Sequence, residues 1–167
     1  MTCQYVMLQN NPVTLKRRFL KAGGAAPALR LVGGDLLDFT LGNFANKRKV
    51  LNIFPCINTS VCAVSVGKFS RVHKDSAVVI LCISSDLPFM QSRSCCVENI
   101  HNVVMLSIMR DMDFSFDYGV HIWEGPLEGI TARAVLVLNE NNRVIYSELV
   151  SEVTHEPDYA AAMANLE

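Results

Sequence analysis

The chain has 167 residues, half of them hydrophobic and 19% charged, with a net charge of −1. That is enough chain for a sizeable core, and too balanced a charge for electrostatic binding to nucleic acid or an anionic membrane. Its six cysteines are too sparse for a secreted disulfide scaffold, and none are spaced C-x-x-C for zinc or a vicinal redox dithiol.

The opening MTCQYVMLQNN has neither the basic nor the apolar region of a signal peptide. No apolar run reaches the ~18 residues of a membrane span. The expectation is one domain over residues 1–167, cytoplasmic, with cysteines mostly reduced. Gln4–Leu8 and Pro12–Leu15 flank Asn10-Asn11, a hairpin signal. Lys16–Arg30 is a basic, Gly/Ala-rich connector. Leu29–Val32 and Phe39–Leu41 read as short strands around the turn Gly33-Gly34-Asp35. The basic run Lys47-Arg48-Lys49 reads as a solvated turn or strand lead-in.

The stretch that follows organises the chain. Val50–Phe54 is a buried strand, ended by Pro55, which has no N–H for a ladder. After a polar turn, Cys62, Val66 and Phe69 fall at i, i+4 and i+7 of a helix, with Thr59 and Ser60 both able to cap it. Cys62 therefore lies in a first helical turn just beyond a strand. Free backbone N–H groups and the helix dipole favour a thiolate there, and the thiolate is the nucleophile. Thr59 is near enough to offer its hydroxyl to the sulfur.

Ala77–Ile83 is a second continuous apolar run, typical of strands covered on both faces. Asp86 can cap a helix starting near Pro88 and carrying Arg93, Ser94, Cys95 and Cys96, with one of the two thiols buried and one exposed. Val103–Ser107 is a short strand and Asp111–Asp117 a short helix or turn. Ala132–Leu138 and Arg143–Val150 form a hairpin around Glu140-Asn141-Asn142, and Pro157–Leu166 is a last helix. The order gives an α/β fold with a mixed sheet. Arg133 at the head of an apolar strand is out of place unless paired or functional. His73, His101, His121 and His155 are scattered without metal spacing and read as surface residues. Trp123, Phe114, Phe116 and Tyr118 suit packing more than a substrate mouth. Cys3 and Cys82 read as inert.

The spacing Pro55-x-x-x-Thr59-x-x-Cys62 resembles the active-site motif of the peroxiredoxins. KRKVLNIFP before it, TLGNFANK at Thr40–Lys47, LCISSDLPFMQSR at Leu81–Arg93 and GPLEGITARAV at Gly125–Val135 are similar to the bacterial thiol peroxidase subfamily of atypical two-cysteine peroxiredoxins. The resemblance runs from about Asn11 to Leu166. It implies a thioredoxin-like fold with an extra N-terminal hairpin. It also implies a peroxidase for hydrogen peroxide and organic hydroperoxides, working without metal, haem, flavin or other cofactor. Cys62 would be peroxidatic, with Pro55 shielding it and Thr59 and Arg133 polarising the O–O bond. Cys95 would be the resolving residue, giving a Cys62–Cys95 disulfide that thioredoxin reduces. A homodimer is implied too.

Several positions depart from the family pattern. Cys56 stands for a usual serine, Asn58 for aspartate, Gly67 for arginine, Ser94 for a bulky aromatic and Cys96 for glycine. A different class, a redox-sensing or holdase-type interaction protein, would use the same cysteine pair as a switch. The intact Pro/Thr/Cys/Arg set favours the enzyme.

Overall fold

The structure is a computed structural model that describes residues 4–72 and 77–166. Cys3 and His73 lie outside the described residues. Nine strands and four helices are described: β1 (Gln4–Leu8), β2 (Asn11–Leu15), β3 (Leu31–Val32), β4 (Asp38–Phe39), β5 (Arg48–Ile53), α1 (Ser60–Val72), β6 (Val78–Ser84), α2 (Pro88–Glu98), β7 (Val104–Ser107), α3 (Asp113–Asp117), β8 (Ala134–Leu138), β9 (Val144–Leu149) and α4 (Tyr159–Ala164). β1 and β2 pair as a separate hairpin. The other seven form one mixed sheet in the order β4-β3-β7-β6-β5-β8-β9. The three central strands, β7, β6 and β5, run parallel, and β8 returns antiparallel beside β5. This is the α/β architecture with a mixed sheet that the element order predicts, and it has the thioredoxin-like sheet and added hairpin that the resemblance implies.

Alternation along the central strands divides the core in two. Leu51, Ile53, Leu81, Ile83 and Leu136 face one cluster with Phe114 and Tyr118. Val50, Ile80, Cys82, Val135 and Val137 face another, where Cys62, Val66 and Phe69 of α1 pack and Ala162 of α4 joins them. All three α1 side chains are fully buried, as their spacing predicts. One polar pair is built into this layer: Ser65 of α1 donates to Asn52 of β5 at 2.9 Å, both buried. It fixes α1 against the strand that delivers the chain to the site.

Local differences from the sequence reading have physical causes. The first hairpin turns on Gln9-Asn10, both at positive φ (49° and 65°), one residue earlier than the Asn-Asn signal. Asp86 does not cap α2. Leu87 occupies that position with no side-chain bond, Pro88 opens the helix, and the Asp86 carboxylate points back toward residues 56 and 57. Lys49 is fully buried rather than solvated, its ammonium donating to the Lys47 carbonyl at 2.8 Å. Burial lowers its pKa, and Glu140 partly opposes that. The last helix starts at Tyr159, because Asp158 caps it by accepting from Ala161 N–H at 2.9 Å; Pro157 lies before the cap. No helix among the described residues is long and apolar enough to cross a membrane.

Candidate active site

β5 ends at Ile53, yet the next amide still reaches the sheet: Phe54 N–H bonds the Ile83 carbonyl at 3.0 Å. The Phe54 carbonyl accepts the buried Thr131 hydroxyl at 2.8 Å. Pro55, also buried, then breaks the ladder. The turn that follows is held from the neighbouring crossover. The Asp86 carboxylate accepts the Ile57 amide at 2.7 Å, the Ser84 hydroxyl at 2.6 Å and the Cys56 thiol at 3.1 Å.

Thr59 caps α1. Its carbonyl accepts the Ala63 amide at 3.1 Å and its hydroxyl oxygen accepts the Cys62 amide at 3.4 Å. Of the two caps that the sequence offers, this one places Cys62 in the first turn with its thiol buried. The same hydroxyl oxygen is 2.7 Å from Cys62 Sγ and 3.2 Å from the Cys56 carbonyl. Its single proton serves one of those acceptors at a time.

Arg133, immediately before β8, reaches the sulfur. The side chain is 2% exposed, and a buried guanidinium needs partners for its five N–H donors. Nη2 lies 3.3 Å from Cys62 Sγ, and Nε donates to the Val153 carbonyl at 2.9 Å. Nη1 is buried without a partner among the described residues. A cation, a hydroxyl and a helix N-terminus thus converge on one sulfur, the arrangement that stabilises a thiolate and an oxygen acquiring charge beside it.

The structure does not bring Cys95 into this group. All five described cysteines are free thiols. A cleft of about 450 Å³ separates the Cys62 turn from α2, lined by Ile57, Asn58 and Ala63 on one side and Met90, Ser94 and Val97 on the other. Cys95 lines a different cleft, of about 410 Å³, with Gly33, Gly34, Ser92 and His101. It is half-buried and Cys96 is exposed. Burial pushes the Cys95 thiol up, and adjacent Cys96 adds to the effect. Cys56 is raised as well, by burial first and then by Asp86 against an opposing backbone bond from Asn58. Cys82 is fully buried in β6, where burial pushes it up to about 12.

Sequence reasoning missed the residues that hold the site from behind. Asp86 was visible only as a cap, and Val153 acts through its carbonyl, which no side-chain pattern reports. His121 is buried rather than on the surface. It bonds Ser115 at 2.9 Å and stacks on Phe116 with ring centroids 4.0 Å apart. Phe114 and Tyr118 are core, whereas Trp123 is exposed beneath the Lys16 ammonium.

The Redoxin family model matches residues 21–163. A thiol peroxidase of Mycobacterium bovis is 42% identical over 161 residues, covering 96% of this chain and 97% of its own. The crystal structure of a peroxiredoxin-like protein from Aquifex aeolicus superposes with a TM-score of 0.92 at 37% identity, covering 97% of this chain and 95% of that one. A thiol peroxidase from Chromobacterium violaceum, 23% identical, shares the fold with a TM-score of 0.86 over 96% of this chain and 93% of its own. The chain belongs to the redoxin family and, within it, to the peroxiredoxin-type thiol peroxidases.

Proposed function

We propose that the chain reduces hydrogen peroxide and organic hydroperoxides through the Cys62 thiolate, with Cys95 resolving the product and a thioredoxin-type protein recycling the disulfide. One observation carries the reading: Thr59 Oγ1 and Arg133 Nη2 lie 2.7 and 3.3 Å from the same buried sulfur.

In the first step the sulfur attacks one peroxide oxygen. An S–O bond forms, the O–O bond breaks, and the departing oxygen takes a proton to leave as water or alcohol. Cys62 becomes a sulfenic acid. Arg133 Nη1, buried with no partner among the described residues, suits the departing oxygen, and the Thr59 hydroxyl suits the oxygen under attack. Pro55 keeps bulk water from the sulfur. In the second step a Cys95 thiol attacks Cys62 sulfur, forms the disulfide and releases water. Cys95 lines a different cleft from the one beside the Cys62 turn, and opening of α2 would carry it across for this step.

The reading also takes the chain as one domain acting as a cytoplasmic homodimer. Leu87 and Phe89, exposed at the start of α2, are apolar surface that such a contact would cover. Cys62→Ser tests the chemistry, because a hydroxyl of high pKa cannot replace the thiolate. Peroxide consumption with a thioredoxin system should vanish while the circular dichroism melt is retained. Turnover above trace in that variant removes Cys62 from the role.

A further inference from the structure

The N-terminal hairpin is sewn to the segment that holds Arg133. At its turn, Gln9 and Asn10 take left-handed conformations, φ 49° and 65°. Their amides both donate to the buried Glu152 carboxylate, at 3.0 Å to Oε1 and 3.2 Å to Oε2. Oε1 also accepts the Thr154 amide at 3.3 Å and the Thr154 hydroxyl at 3.0 Å. A buried carboxylate needs such a set of donors. Burial alone would raise its pKa, but the bonds from Asn10, Gln9 and Thr154 bring it down to about 2. Beside it the backbone closes the same joint: Met7 N–H bonds the Ser151 carbonyl at 2.7 Å, and Val153 N–H bonds the Met7 carbonyl at 2.8 Å.

The far side of this segment faces the site. Val150 N–H donates to the Arg133 carbonyl at 3.0 Å, and the Val153 carbonyl accepts Arg133 Nε at 2.9 Å. Residues 150–154 contain no helix and none of the strands β1 to β9, so their path depends on these cross-links. The Nε bond sets the plane of the guanidinium, and that plane decides where Nη1 and Nη2 point.

We propose that Glu152 is a positioning residue for the peroxidase reaction: it locks the hairpin turn onto the segment whose Val153 carbonyl orients Arg133 on Cys62. The N-terminal hairpin thereby becomes part of the catalytic support. This rests on the reading that Arg133 promotes Cys62 oxidation, and a double-mutant cycle separates the two claims.

Single-turnover oxidation of Cys62 by hydrogen peroxide is measured for Glu152→Ala and Glu152→Gln, each with Arg133 present and in the Arg133→Ala background. Glu152→Gln keeps one acceptor oxygen and serves if Glu152→Ala does not fold. With Arg133 present, displacing the guanidinium should slow oxidation by about 10- to 100-fold. In the Arg133→Ala background the same change should move the rate less than about twofold, because the two residues act as one unit. Melting temperature should fall in both backgrounds, so stability and rate part company. Equal slowing in both backgrounds, or no slowing in either, overturns the proposal. An unchanged rate in Arg133→Ala alone removes the reading beneath it, and the proposal with it.

Discussion

Thr59 meets Cys62 twice: its hydroxyl oxygen accepts the Cys62 amide at 3.4 Å and lies 2.7 Å from the Cys62 sulfur. Capping and chemistry can be separated by substitution. Thr59→Asn retains a side-chain acceptor for the cap but has no hydroxyl for the peroxide. Thr59→Val loses both and should lose about 1 kcal/mol of stability as well. Thr59→Ser keeps both. The expected order of peroxide reactivity is Ser near native, then Asn and Val both low, whereas the melting order is Ser and Asn above Val. If Thr59→Asn reacts with peroxide at the native rate, the hydroxyl is a cap alone.

Arg133 should contribute more than ionisation of the thiol. Complete ionisation of a cysteine of ordinary pKa gains only ~30-fold at neutral pH. Removing a donor aimed at developing charge in a dry site costs on the order of 10²- to 10³-fold. Arg133→Ala should therefore remain slower than native by about 10²-fold even at a pH where both thiols are ionised. Stopped-flow rates across an alkaline series measure this. Convergence of the two rates at high pH would confine Arg133 to setting the charge of the sulfur.

Much of this arrangement was legible because it is local. Pro55, Thr59 and Cys62 sit within eight residues, so the strand end and the first helical turn follow from spacing, with the cap left open between Thr59 and Ser60. The apolar runs of β5 and β6 mark strands covered on both faces, and both are central in the sheet. What the sequence hid is held by distant partners. The Val153 carbonyl meets Arg133 from 20 residues away and Glu152 meets Asn10 from 142 residues away. Asp86 just before Pro88 has the sequence of a helix cap, but donors from β6 and the Cys62 turn outcompete the local amides for its oxygens. Lys49 and His121 look like surface residues until the Lys47 carbonyl and Ser115 are seen to satisfy them inside.

Asp86 should govern the shape of the peroxidatic turn. Asp86→Ala leaves the Ile57 amide and the Ser84 hydroxyl without their acceptor, which costs about 1–3 kcal/mol. The turn carrying Cys56 and Thr59 then loosens, so the peroxide rate should fall together with the melting temperature. Asp86→Asn keeps an acceptor for Ile57 and should recover most of both. A variant at Asp86 that melts early but reacts at the native rate would show that the turn holds its shape without this carboxylate.

Resolution should depend on α2 opening, and pH should reveal it. Cys95 lines the cleft beside Gly34 and His101, whereas Ser94 and Val97 face the Cys62 turn. A disulfide needs Cα atoms within ~7 Å, and unwinding of the end of α2 is the expected route by which Cys95 crosses to the Cys62 turn. That end is closed by Asn99 at φ 54°, whose amide bonds the carbonyls of Cys95 and Cys96. Burial, with Cys96 adding to it, raises the folded Cys95 thiol above the ordinary cysteine value of about 8.5. The folded helix therefore holds its proton where the unwound segment has lost it. By linkage the docked helix keeps its full stability below that ordinary value and loses it as pH rises from there toward the folded pKa. The rate of disulfide formation after peroxide should accordingly climb above about pH 8.5, through both more opening and more thiolate. Quenched-flow trapping followed by peptide mapping checks the rate and the pairing together. The expected product is Cys62–Cys95, lost in Cys95→Ser and retained in Cys96→Ser. Hydrogen exchange should show the amides of residues 92–98 deprotected in the disulfide form. A product mapped mainly to Cys62–Cys96, or full thioredoxin-dependent turnover in Cys95→Ser, assigns resolution to the exposed neighbour instead. A disulfide formed with α2 still protected would mean that the chain closes the gap without unwinding.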